Sequence, residues 1–194
     1  MKWGLKRGFD LSVATIGLAV AVPILIPMIF ACRISTGTSG IYRQTRIGRD
    51  GQPFTIYKLR TMRMASGGTI TTENDTRITP LGRWVRRTKL DELPQLWNVI
   101  RGDMSLVGPR PDVPGYADKL TGSDRRLWQL RPGITGPASL KYRNEEQLLA
   151  TKPNPQAFND TVIWPDKVKI NLHYLDQWSF RNDLRILRQT VLDL

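Results

Sequence analysis

Cysteine and histidine are almost missing from this 194-residue chain, which has one of each, Cys32 and His173. A lone cysteine excludes an internal disulfide, and a lone histidine excludes a histidine-rich metal site. Any bound metal must therefore meet oxygen ligands, which favours magnesium or manganese. Cys32 lies in an apolar run, where a thiol serves as a small hydrophobe rather than a nucleophile. His173 reads as a structural or surface residue. Acidic residues are also scarce. Seventeen Asp and Glu face 29 Lys and Arg, giving a net charge of +12 and a pI near 10.3. Such an excess implies an anionic partner, whether nucleic acid, lipid headgroups or phosphorylated substrates. No internal repeat or low-complexity tract is present, and the length suits one domain with a real core.

What the chain does have is a long uncharged stretch. From Leu11 to Cys32, 22 residues carry no formal charge, bounded by Asp10 and Arg33. A bilayer span takes about 20 apolar residues. A cleavable leader fits poorly, since no small-x-small site follows and basic residues come next. A buried helix of a soluble protein is the plain alternative. Pro23 and Pro27 fall mid-segment, and each removes a helix donor. Lys2, Lys6 and Arg7 precede the segment, while Arg33, Arg43, Arg46 and Arg49 follow it. Positive-inside bias would keep both flanks on the cytoplasmic side. One segment satisfies both flanks only by entering and returning on one face, so a re-entrant helix-break-helix bending at Val22-Pro23 is expected.

Asp50-Gly51 between two β-prone runs signals a hairpin, with strands around 41–47 and 53–59. Ala65 to Asn74, rich in Gly, Ser and Thr, reads as a mobile loop. Thr79-Pro80 opens a helix with Leu81, Trp84 and Val85 on one face and Arg83, Arg86 and Arg87 on the other. A basic and Trp-bearing amphipathic helix suits a membrane interface. A closing helix is expected from about Asp183 to Leu192, and Trp164, Trp178 and Phe180 upstream suit either core or headgroup-level positions.

The stretch Arg83 to Pro111 carries the chemistry. Adjacent carboxylates, Asp91 and Glu92, follow the basic run Arg83, Arg86, Arg87 and Lys89. Cations can hold phosphates, and a carboxylate can hold a divalent cation or attack phosphorus. Phosphoryl transfer needs both, because its transition state is stabilised mainly by positioned charge. Leu93, Leu96, Trp97 and Ile100 share one helical face, which puts Asp91 at the N-cap or first turn of a second helix. Gly108-Pro109-Arg110-Pro111 is stiff and presents its arginine on an extended backbone, suited to clamping a phosphate or carboxylate. The plain alternatives are a solvated helix face and simple N-capping. Flanked by arginines, Asp91 is expected to stay ionised.

With these residues in view, the chain resembles the bacterial monotopic phosphoglycosyl transferases, or bacterial sugar transferases, over nearly its whole length. Lys6 to Asp10 resembles the family's lead into its membrane helix. Tyr42 to Gly48 and Tyr57 to Met62 look like its next signatures. Thr88 to Asn98, Gly102 to Pro111 and Arg131 to Gly136 match the later ones in order. The resemblance implies transfer of a phospho-sugar from a UDP-sugar to polyprenyl phosphate, with Asp91 as covalent nucleophile and UMP as leaving group. It also implies Mg2+ held by Asp91 and Glu92. Lys58, Arg60, Arg86, Pro109, Arg110 and Pro111 match family positions near the phosphates or nucleotide. Val22 stands where the family often has serine before the proline at Pro23, a departure in the detail of the membrane break. No extra transmembrane helices of longer relatives are present, so a minimal catalytic form is expected.

The resulting expectation is an α+β fold, mainly helical. Residues 1–34 form a re-entrant membrane anchor, and 35–194 form one integrated catalytic region with interfacial helices and a small hairpin. It places the enzyme on the cytoplasmic face of the bacterial inner membrane. A lipid-binding module without chemistry is the first rival. A nucleic-acid binder is the second, disfavoured by dispersed basic residues and the bilayer-length apolar run.

Overall fold

A computed structural model of the chain describes residues 2–64 and 75–192, so the expected loop at Ala65 to Asn74 lies outside the described residues. The apolar run forms one helix, α1 (Lys2–Thr36). It stops where Gly37 adopts a left-handed conformation (φ 74°) and donates to the Arg33 carbonyl, a glycine helix end. The break expected at Val22-Pro23 is not there: the helix continues through Pro23 and Pro27 without interruption. The physical reason is that a proline ring holds φ near the helical value. It deletes one amide donor and crowds the carbonyl four residues back, but it does not force the chain out of helix.

One line of α1 faces the rest of the protein. Lys6, Asp10, Ala14, Ala21, Leu25, Cys32 and Thr36 are buried, spaced by four or seven residues as a single helical face requires. The opposite side exposes Leu5, Ile16, Val20, Phe30 and Ile34. By length and composition the helix could cross a membrane. Its polar attachments to the body lie near both ends. Near the start, Lys6 Nζ donates to Asp183 Oδ2 at 2.7 Å and Ser105 Oγ donates to Asp10 Oδ2 at 2.7 Å. Near the end, Ser35 donates to Thr79 at 2.8 Å, and Gly40 lies so close that a Cβ there would stand 1.9 Å from the Ile29 carbonyl oxygen.

The hairpin forms at the expected bounds, β1 (Ile41–Ile47) antiparallel to β2 (Pro53–Leu59), with Tyr42 opposite Lys58 and Arg46 opposite Phe54. Asp50 and Gly51 supply the positive φ values of its turn, conformations these two residues tolerate. Strand alternation puts Tyr42, Gln44 and Arg46 on the same face as Lys58. Helix α2 (Pro80–Arg87) starts as expected, the Thr79 hydroxyl accepting from the Gly82 amide at 2.9 Å. Next come α3 (Gln95–Arg101) and β3 (Ser105–Val107), the latter parallel to β4 (Gly133–Thr135).

The remainder is helical: α4 (Pro137–Lys141), α5 (Glu145–Ala150), α6 (Pro155–Phe158), a π-turn (Asn159–Ile163), α7 (Trp164–Asp176) and α8 (Phe180–Leu192). The main core joins Val99, Met104, Leu106 and Val107 to Leu130, Val168, Tyr174 and Ile186. Trp164 and Trp178 pack against it, and Phe180 meets Phe9 edge-on at 5.1 Å, so these aromatics are core. A second cluster holds Ala21, Leu25 and Cys32 of α1 against Leu59 and Val85. Cys32 is thus the small hydrophobe its context suggested. The architecture is α+β and mainly helical.

Candidate active site

The two carboxylates lie between α2 and α3 in a turn of their own. Lys89 takes a left-handed backbone (φ 56°), Leu90–Glu92 form a 3-10 turn, and Pro94 sets the entry to α3. Asp91 therefore does not cap α3 as expected. The left-handed Lys89 turns the chain out of α2, and Pro94 separates the carboxylates from the next helix. With only seven residues in α3, its dipole is a minor influence beside the nearby full charges.

Glu92 is clamped. Arg110 donates to Oε1 at 2.5 Å and to Oε2 at 3.3 Å, while Lys58 from β2 reaches Oε1 at 3.3 Å. These partners come from 18 and 34 residues away in sequence. Asp91 is the opposite case. Its Oδ1 is buried and has no hydrogen-bond partner among the described residues.

The pKa values follow this division. Burial, and then the neighbouring Glu92 charge, push Asp91 up to about 6, against the pull of Lys58, Arg86 and Arg110. For Glu92, burial acts upward, but Arg110 and Lys58 outweigh it and hold the carboxyl well below its ordinary range. The Lys58 ammonium is lowered by burial, against Glu92, and Arg110 is raised, chiefly by Glu92. The cations expected to keep Asp91 ionised do pull its pKa down, but burial and Glu92 outweigh them. The nearest cations bond to Glu92, leaving Asp91 the desolvated partner of a like charge. At pH 7 it is still roughly nine-tenths ionised, and more basic than an ordinary aspartate.

The other expected residues divide between the dyad and its surroundings. Arg86 bonds to Glu146 and contacts the Met62 sulfur, reaching Asp91 only through its field. Arg60 donates to the Ser39 carbonyl at 2.7 Å and stacks over Tyr42, with no bond to either carboxylate. Pro109 accepts from the Gly133 amide at 2.7 Å, and Pro111 accepts from Arg46 Nη1 at 3.0 Å. Arg110 thus projects from between two tethered prolines, its side chain 44 % exposed. Pro23 lies within α1, and His173 is exposed on α7. Sequence reading missed Arg46, Glu146 and Asp112, the last pushed up to about 6 by burial against Lys167 and Arg46. Arg46 could have been found from strand alternation, which sets it on the face of Lys58. Glu146 and Asp112 leave no local signal.

The two carboxylates differ as metal ligands. Both Glu92 oxygens are engaged by Arg110 and Lys58, whereas Asp91 keeps a buried oxygen with no partner among the described residues. Magnesium needs only one or two protein carboxylates when substrate phosphates and water complete its shell, and Asp91 fits that demand.

One buried Asp91 oxygen without a hydrogen-bond partner among the described residues, a clamped Glu92 and the nearby cations Lys58, Arg86 and Arg110 form an arrangement suited to anionic phosphates. The sequence pattern of the bacterial sugar transferase family is matched over residues 1–194, and the chain belongs to that family. It is 38 % identical over 190 residues to a protein of Bacillus subtilis (strain 168) named as an uncharacterized sugar transferase, EpsL, covering 96 % of this chain and 85 % of the relative. It is 34 % identical over 196 residues to the UDP-glucose:undecaprenyl-phosphate glucose-1-phosphate transferase of Caulobacter vibrioides, covering 97 % and 69 %. Against the enzyme of that name from Escherichia coli (strain K12) the identity is 35 % over 195 residues, 96 % of this chain but 39 % of the relative. The chain is a sugar-phosphate transferase.

Proposed function

We propose that this chain moves a sugar 1-phosphate from a UDP-sugar to polyprenyl phosphate in two displacements at Asp91. One observation carries the reading: a buried Asp91 oxygen has no hydrogen-bond partner among the described residues, while its neighbour Glu92 engages Arg110 and Lys58. In the first displacement a carboxylate oxygen attacks the β-phosphorus of the donor, the bond to the bridging oxygen breaks, and UMP leaves. In the second, an oxygen of the acceptor phosphate attacks that phosphorus and the aspartyl–phosphorus bond breaks, giving polyprenyl-diphosphate-sugar. An aspartate needs no histidine base for this, because the ionised form is already the nucleophile. Burial and Glu92 raise its basicity and so its nucleophilic strength. Arg110 faces the entering phosphates from its exposed side. Mg2+ fits as cofactor, held by Asp91 and phosphate oxygens, and would neutralise charge on the diphosphate.

The same reading puts residues 1–34 in one leaflet of the bacterial inner membrane, with 35–194 as the catalytic region on the cytoplasmic face. Support comes from the attachment of both ends of α1 to one body, from basic residues on both flanks, and from half-exposed Trp84 and Trp97. The test is to supply purified protein with a panel of UDP-sugars, polyprenyl phosphate and Mg2+, and to measure UMP. Donor labelled in its β-phosphate should leave label on the peptide containing Asp91. Turnover by Asp91→Asn, or no label on that peptide, would reject the mechanism. Cysteine labelling that found the two ends of α1 on opposite sides would reject the attachment.

A further inference from the structure

The loop carrying Arg110 is pinned from two sides. On one side, the Pro109 carbonyl accepts from the Gly133 amide at 2.7 Å. On the other, the end of β1 holds two successive carbonyls: Arg46 Nη1 donates to Pro111 at 3.0 Å, and the Ile47 amide donates to Asp112 at 2.9 Å. Arg46 is itself oriented by Gln44, whose Oε1 accepts from Nη2 at 2.6 Å, and its Nε is buried with no partner among the described residues. The fork is therefore spent on the loop and on one side chain of its own strand. Gln44 and Arg46 share the hairpin face that sends Lys58 to Glu92. One face of one hairpin thus governs both cations of the Glu92 clamp, Lys58 directly and Arg110 through its backbone. Arg46 also lies within the field of Arg110, which opposes its charge, while Asp112 and Glu92 favour it.

We propose that Arg46 is a positioning residue of the reaction, fixing where Arg110 meets Glu92 and the incoming phosphates. This rests on the UDP-sugar-dependent transferase reading. Two readouts separate the failures. The first is a double-mutant cycle on UMP release. Arg46→Met should lower kcat/KM by about 10- to 100-fold, the scale of a misplaced catalytic group. In an Arg110→Ala background the same change should cost less than about threefold, because an effect exerted through Arg110 vanishes with it. Arg46→Lys should recover only part, since an ammonium cannot hold Pro111 and Gln44 in the same planar fork. Full multiplicative loss in the double variant, or no loss in Arg46→Met, would overturn the proposal.

The second readout needs no turnover. Amide hydrogen exchange in the peptide spanning residues 108–113 should speed up in Arg46→Met by about tenfold or more, as expected when a loop loses a tether. Unchanged exchange there also overturns the proposal, even in a protein that turns over no UDP-sugar. Should Arg46→Met fail to fold, Gln44→Leu carries both readouts with the same signs and smaller size.

Discussion

Replacing Asp91 by asparagine should stop turnover and make the protein harder to melt. In the folded protein this carboxyl titrates at about 6 instead of 3.8. Between those values the folded state keeps a proton that the unfolded chain releases, so stability falls as pH rises through the window and levels off above it. At about 1.4 kcal/mol per pH unit, the ionised carboxylate costs about 3 kcal/mol as a ceiling at neutral pH. The field shared with Glu92, and the burial of an asparagine amide in its place, reduce the expected gain to about 1–2 kcal/mol. For a chain of this size each kcal/mol moves the melting temperature by about 2–4 °C. The variant should therefore melt about 2–8 °C higher at pH 8. Six tryptophans allow melting to be followed by intrinsic fluorescence in detergent across pH 4.5–8. The gap should close toward the acid end, where the wild-type carboxyl is protonated. A variant that melts at or below wild type at pH 8, or a gap that does not change with pH, would refute the reasoning.

The wild-type kcat/KM should fall about tenfold per pH unit below about pH 6. Glu92→Gln should shift that limb to lower pH while cutting the rate, and a stationary limb would count against the dyad. Gly40→Ala places a Cβ 1.9 Å from the Ile29 carbonyl oxygen. It should cost about 1–3 kcal/mol by prising α1 from the hairpin, read as a lowered melting temperature. Asp183→Ala leaves buried Lys6 with only Asp10 at 3.9 Å and removes the acceptor of Tyr174 and Trp178; it should cost about 3–5 kcal/mol, read as a lowered melting temperature.

Local chemistry made the hairpin and the start of α2 readable. Asp50-Gly51 favours the turn that joins β1 to β2, and Thr79-Pro80 caps and opens a helix. Asp91 and Glu92 were legible as a pair, but their division of labour was not. It depends on Lys58 and Arg110 arriving from 34 and 18 residues away and on burial that no window of sequence reports. The N-cap expectation failed because a left-handed Lys89 gives no compositional warning. Arg86 acts on Asp91 only through its field, and its bond goes to Glu146 on α5, an element whose docking nothing nearby foretells. At Pro23 the sequence rule overreached: proline removes a bond, and a long helix tolerates the loss.

The buried pairing of Lys6 with Asp183 spans 177 residues of sequence, and Tyr174 and Trp178 donate to the same aspartate. During synthesis Asp183 therefore emerges from the ribosome long after Lys6, and after Lys58, Asp91, Glu92 and Arg110. Until Asp183 is made, the only carboxylate partner the structure gives Lys6 is Asp10, one turn along the same helix. The buried clasp between α1 and α8 can therefore close only after every residue of the candidate site has been made.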